Sequence, residues 1–172
     1  MCEPILKSRD ELPVLAKERG YEYGAEIGVS VGVNAETILA ASSMKIVYLI
    51  DPWMDWKTMV GEETFVACMK RLTKFGKRAQ FIREKSPRAA RYFNGESLDY
   101  VYVDGSHSRK GCRADLYAWW PIVKSGGIFA GHDYGKKHPF VKVVVDEFFT
   151  KLGLEFQIIE HLYSPSWWIT KP

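Results

Sequence analysis

Long apolar runs, paired cysteines, low-complexity stretches and internal repeats are all missing from this chain of 172 residues. No stretch approaches the roughly 20 consecutive apolar residues that a bilayer-spanning helix needs, so a membrane protein is not expected. The opening MCEPILKSRDELPVLAKERG scatters Glu3, Lys7, Arg9, Asp10 and Glu11 through what an export signal would keep apolar. Cys2, Cys68 and Cys112 are odd in number, far apart, and form neither CxxC nor a Cys/His metal spacing, which points to reduced thiols. Reduced thiols without a targeting segment make the cytoplasm the expected compartment. No Pro/Gly/Ser linker divides the chain, so residues 1–172 read as a single domain with a helical N-terminal segment over 1–20. A net charge of +3 is too small to demand a nucleic acid and favours an anionic partner only weakly.

What is present is an alternation of strand and helix patterns. YEYGAEIGV (21–29) reads as a strand ending in a glycine turn, NAETILAAS (34–42) as a helix, and KIVYLID (45–51) as the next strand. Phe65, Met69 and Leu72 fall at helical spacing within 62–75, and AQFIRE (79–84) is a strand after the Gly76 stop. Ser86-Pro87 looks like an N-cap with proline at the first helical position. LDYVYVD (98–104) is a near-continuous apolar run ending in Asp, as a strand buried on both faces should be. Cys112, Leu116, Trp119 and Val123 form one amphipathic stripe, GIFAGHD (127–133) is a strand, and Val141, Val145, Phe148 and Leu152 repeat the stripe. LEFQIIEHL and SWWITK then suggest a terminal antiparallel hairpin. The expected fold is α/β: a mostly parallel sheet, helices on both faces and an antiparallel strand at one side.

In such a sheet, ligands bind beyond the carboxyl ends of the strands near the switch in strand order. The first strand ends in Glu26-Ile27-Gly28-Val29-Ser30-Val31-Gly32, whose glycines allow a tight turn and close backbone approach. Asp51 ends the second strand about 20 residues later, the separation at which a carboxylate reaches ribose hydroxyls, so a nucleoside ligand is expected. The G-x-G-x-x-G dinucleotide fingerprint is absent, because Ser30 stands at its second glycine and the spacing to Gly32 is wrong. Glu26 adds a carboxylate at the loop entrance, suited to a cationic amino group and unsuited to a pyrophosphate.

These residues resemble the class I S-adenosylmethionine-dependent methyltransferases, with an acidic residue, spaced glycines and an acidic ribose binder after the second strand. VYVDGSHSRKGCRADLYAWWPIVKSGGIFAGHDY (101–134) is similar to the small macrocin-type and catechol-type O-methyltransferases within that class. The resemblance covers most of residues 22–150 and implies a Rossmann-like, seven-stranded sheet with the last strand antiparallel. It places Glu26, Gly28, Ser30 and Gly32 around the amino acid part of S-adenosylmethionine, Asp51 on its ribose and Ser86 beside the adenine. Asp104 and Asp133, at the fourth and fifth strand ends, correspond to carboxylates that hold a divalent ion in metal-dependent relatives, which implies Mg2+. This chain has His132-Asp133 where the catechol-type enzymes have Asp-Asn, so the third ligand is open between His132 and a carboxylate of the 55–63 loop. Oxygen ligands would suit magnesium, whereas a histidine ligand tilts the choice toward a transition metal.

His107 follows Asp104 by three residues, and macrocin-type relatives use a histidine in this context as general base; the structural alternative is a helix-cap histidine bonded to backbone. The resemblance thus implies methyl transfer to a hydroxyl of a small molecule or sugar, with His107 and Asp104 at the reacting centre. Alternatives are a nitrogen or macromolecular acceptor, or a nucleoside-binding module without turnover. Trp53 and Trp56 are either lid residues or loop anchors, while Trp119, Trp120, Trp167 and Trp168 fit core or subunit packing. Between Lys70 and Arg91 there are nine basic residues against one acidic, Glu84. Without a nucleic-acid motif this run reads as a solvated face. A chain this short has little room for a substrate cap, which makes a homo-oligomer a candidate to complete the pocket.

Overall fold

A computed structural model describes residues 3–54, 60–162 and 164–172. The strands are β1 (Tyr23–Ile27), β2 (Ile46–Ile50), β3 (Ala79–Ile82), β4 (Leu98–Val103), β5 (Val123–Gly131), β6 (Gln157–Ile159) and β7 (Ser166–Thr170). They form one seven-stranded sheet in the order β3-β2-β1-β4-β5-β7-β6. Pairings among β1 to β5 are parallel, and β7 runs antiparallel to both of its neighbours. The expected architecture is therefore observed, with the switch in strand order between β1 and β4.

The helices are α1 (Glu11–Glu18), α2 (Val33–Ala41), α3 (Val60–Leu72), α4 (Ser86–Ala89), α5 (Arg109–Trp119) and α6 (Pro139–Leu152). They cover both faces because strand side chains alternate across the sheet. Val101 and Val103 of β4 join Leu116, Trp119, Val145 and Phe148 in one core. Tyr100 and Tyr102 of the same strand join Leu12, Ala35, Leu39 and Leu72 in the other. No described helix is long and apolar enough to cross a membrane.

Three local expectations shift. Val123 does not close the α5 stripe; Pro121 lies in a 3-10 turn over Trp120–Ile122, and Val123 opens β5. Leu152 stays 41% exposed because α6 ends there and Gly153, at φ 66°, turns the chain away. Ser86 is the first residue of α4 and Lys85 its cap, which frees the serine hydroxyl for a contact described below. Cys68 and Cys112 are free and buried, as reduced thiols should be; Cys2 lies outside the described residues.

The sheet is tight where β5 meets β7. A Cβ on Gly131 would sit 2.5 Å from the Trp167 ring and 2.6 Å from the Val103 carbonyl oxygen. Trp167 is 1% exposed and wedged against Phe129 and Phe149, so neither neighbour can yield. Gly131→Ala should lower stability by about 1–3 kcal/mol, as overpacking typically does. Urea denaturation checks this, and an unchanged midpoint would show that the ring can move.

Candidate functional site

Inter-strand hydrogen bonding continues one residue past the strand ends. Gly28 N donates to Ile50 O at 2.8 Å, Asp104 N to Ile27 O at 2.7 Å, and His132 N to Val103 O at 3.1 Å. Asp51 N donates to Ile82 O at 3.3 Å. The ladder thus sets Gly28, Asp51, Asp104 and His132 side by side along the carboxyl edge. Above them opens a cavity of about 540 Å³, within the usual range for small-molecule sites. Gly28, Ser30, Asp51, Ser86, Asp104 and His107 all line it.

Backbone strain collects at this edge. Ser30 (φ 52°), Trp53 (φ 40°) and Asp133 (φ 59°) are non-glycine residues in the left-handed region, a geometry that persists only where the surroundings enforce it. Asp51 enforces the first two: Oδ2 accepts from Ser30 N at 2.9 Å and Oδ1 from Trp53 N at 2.7 Å. Each carboxylate oxygen keeps a further lone pair for a hydroxyl donor. Trp53 is an anchor, 2% exposed, with its indole NH on Ser30 O and its ring on Phe65. Trp56 and Asp55 lie outside the described residues. Gly28, at φ 86°, admits no Cβ, since one would fall 2.0 Å from Asp104 O. Gly32 caps α2 and its Cβ direction meets Cys68 and Leu72, away from the cavity.

Glu26 is 1% exposed beneath the Gly28 turn. Its Oε1 accepts from Asn34 Nδ2 at 2.8 Å, while Oε2 is buried without a hydrogen-bond partner. Burial pushes its pKa up to about 8, helped by the nearby charges of Asp104 and Asp51. An orphaned carboxylate oxygen at this depth calls for a cationic or donor group of a ligand. Ser86 is committed elsewhere: its hydroxyl donates to Asp115 Oδ1 at 2.6 Å and accepts from Trp119 Nε1 at 2.9 Å. It forms part of the cavity wall with one face already satisfied.

Three of the chain's four histidines converge on Asp133. His132 Nδ1 lies 3.2 Å from Asp133 Oδ1 and 3.8 Å from Asp104 Oδ1. His107 Nε2 lies 2.6 Å from Asp133 Oδ2, and His138 Nε2 lies 3.7 Å from that same oxygen. Burial would raise the Asp133 pKa, but hydrogen bonds from His132 and Ser164 and the histidine charges outweigh it and hold the carboxyl well below the usual range. Asp104 shifts the other way, upward, chiefly through burial. The donor atoms of Asp104, His132 and Asp133 lie within 4.8 Å of one another, a spacing that one cation can span. His107 does not cap α5 through its ring; Ser108 caps it, accepting from Gly111 N at 3.1 Å.

Residues 22–134 match the family of methyltransferase domains. The chain belongs to that family. Solved methyltransferase structures share its fold. An rRNA methylase from Streptococcus thermophilus superposes with a TM-score of 0.71 at 14% identity, covering 99% of this chain and 98% of that one. A putative caffeoyl-CoA O-methyltransferase from Staphylococcus aureus gives 0.74 at 13% identity, covering 97% and 85%. The O-methyltransferase TomG from Streptomyces achromogenes, solved in complex with SAM, gives 0.69 at 14% identity, covering 95% and 79%. No curated protein matches the chain in sequence.

In this methyltransferase the sequence reading missed His138, Arg9 and Asn34. His138 caps α6 immediately before Pro139, a position with no motif around it in the sequence. Arg9 comes from the N-terminal segment, yet its guanidinium hydrogen-bonds Tyr102 and lies in the field of Asp104. Asn34 sits eight residues after Glu26, as the second residue of α2, a spacing that could have been noticed.

Glu26 yields a stability prediction. Its folded pKa is raised, so the native state binds more protons than the unfolded chain between the ordinary carboxylate range and about pH 8. Stability is therefore lost as pH rises through that window. Glu26→Gln should unfold at a higher temperature than the parent protein at pH 8 to 9, with the gap closing toward pH 4.5. Calorimetric melts across pH check this; a gap independent of pH would show that burial does not perturb Glu26.

Proposed function

We propose that the chain transfers a methyl group from S-adenosylmethionine to a hydroxyl of a small molecule, with His107 as general base. The observation that carries the reading is His107, bonded to Asp133, on the wall of the same cavity that carries Asp51. S-adenosylmethionine supplies, when bound, a sulfonium-borne methyl group with its own leaving group. The residues suit it: the orphaned Glu26 Oε2 would take the amino group, the Gly28–Ser30 turn allows close backbone approach, and Asp51 would take the ribose.

The protein's tasks are then positioning and proton removal. Asp133 fixes the His107 ring through Nε2, leaving Nδ1 to accept the hydroxyl proton. Asp104, His132 and Asp133 would hold a divalent ion that acidifies that hydroxyl. Magnesium is the ion the family likeness implies, and the imidazole of His132 equally suits a transition metal. Holding the acceptor oxygen in line with the methyl carbon supplies the remaining lowering of the barrier.

A second cavity of about 410 Å³ opens on the other side of His132, lined by Lys7, Arg9, Asp10, Glu160 and Ser166 among others. It adjoins the reacting carboxylates without overlapping the cofactor cavity, which suits an acceptor. Among the described residues its lining holds no Phe, Tyr or Trp side chain, in keeping with a polar, hydroxylated acceptor. The basic run favours this over a nucleic acid. Arg71 and Lys74 pair with Glu36, Arg83 pairs with Glu62, and Arg78 donates to the Ser42 and Met44 carbonyls. Cytoplasmic location and assembly with a second copy belong to the same proposal.

Calorimetric titration with S-adenosylhomocysteine tests the cofactor. The parent protein should bind it, Asp51→Ala and Glu26→Gln should weaken binding at least about tenfold, the loss of one or two charge-assisted hydrogen bonds. His107→Ala should bind it nearly as well as the parent and lose about a hundredfold or more in labelled methyl transfer to hydroxylated acceptors, as removal of a general base typically does. Binding of NAD in place of S-adenosylhomocysteine would overturn the reading, and unchanged turnover of His107→Ala would remove the base.

A further inference from the structure

The outer half of the histidine cluster brings three potential metal ligands to one point. His107 ends the loop after β4, Asp133 follows β5 and His138 caps α6, so three separate elements deliver one side chain each to the same point. The donor atoms of these three side chains lie within 4.8 Å of one another. Both imidazoles aim Nε2 at a single carboxylate oxygen, Asp133 Oδ2, from 2.6 and 3.7 Å. Only the shorter approach is within hydrogen-bond distance; 3.7 Å is beyond it. The two rings are stacked, with centroids 4.1 Å apart and planes 24° from parallel.

A divalent ion resolves this geometry. It would accept the Nε2 lone pair of each ring, each carrying its proton on Nδ1, and would neutralise Asp133. We propose that His107, His138 and Asp133 bind a divalent transition metal, distinct from any ion held by Asp104, His132 and the other oxygen of Asp133. Two imidazoles and one carboxylate select borderline metals such as Zn2+, Co2+ or Ni2+ over Mg2+, which demands oxygen ligands. Three protein ligands leave at least one position open, and His107 lies on the cofactor cavity, so that position is reachable from the site. Occupation would withdraw His107 from proton transfer, so this ion and the base role compete for one ring.

Cobalt titration of the tag-free protein at neutral pH, followed by visible absorption, tests the proposal without reference to turnover. Saturable binding with ligand-field bands of a low-coordinate, nitrogen-containing site is expected, and Zn2+ should displace it while Mg2+ does not. His138→Ala should weaken cobalt binding at least about tenfold, with His132→Ala close to the parent, because ligand loss costs no less than the loss of a supporting contact. His138→Gln serves the same purpose if the alanine variant loses its native circular dichroism. No saturable binding would overturn the site. So would a loss confined to His132→Ala or equal in both variants, which would assign the ion to the Asp104 set.

Discussion

Backbone hydrogen bonds that run one residue past the ends of β1, β2, β4 and β5 hold this site together. They are ordinary ladder bonds, but they place Gly28, Asp51, Asp104 and His132 at fixed heights on one edge. Everything above that edge is built from short loops whose freedom has been removed. Asp51 pins two strained residues through its two oxygens, Gly28 passes so close to Asp104 that no side chain fits, and Asp133 is held in a left-handed conformation between three histidines. The chemistry-bearing groups are rigid because the sheet is, and the sheet is rigid because residues such as Gly131 and Trp167 leave no slack between its strands.

Two opposite treatments of carboxylates coexist within this frame. Glu26 is deeply buried, lacks a partner for one oxygen, and holds its proton up to about pH 8. Asp133 is buried as well but surrounded by donors, and stays ionised. The difference lies in what each has been left to find. Glu26 is incomplete without a ligand, whereas Asp133 is already engaged on both oxygens and acts by dividing itself between neighbours.

The fold was legible because its signals are periodic. The apolar run LDYVYVD marks a strand buried on both faces, and alternation of strands with amphipathic helices leaves few topologies. Strand-end residues were legible for the same reason: Asp51, Asp104 and Asp133 each follow an apolar run. What periodicity cannot carry is contact across the sheet. His138 lies on a loop whose neighbour, Asp133, is fixed by a tight turn that no spacing rule describes. Arg9 reaches Tyr102 from a segment beyond the family match. Ser86 lines the cavity, but its bond to Asp115 depends on how α4 meets α5, which no spacing in the sequence records.

Asp133 carries a consequence for divergence within the family. Its Oδ1 faces His132 and its Oδ2 faces His107 and His138, so one side chain joins the two proposed metal sites, which otherwise share no residue. Under that proposal a replacement there would remove both at once, while His132 and His138 could drift singly, each erasing one site and sparing the other. Descendants of this chain would then lose or exchange metals piecemeal through the histidines, with the aspartate as the pivot that selection cannot release.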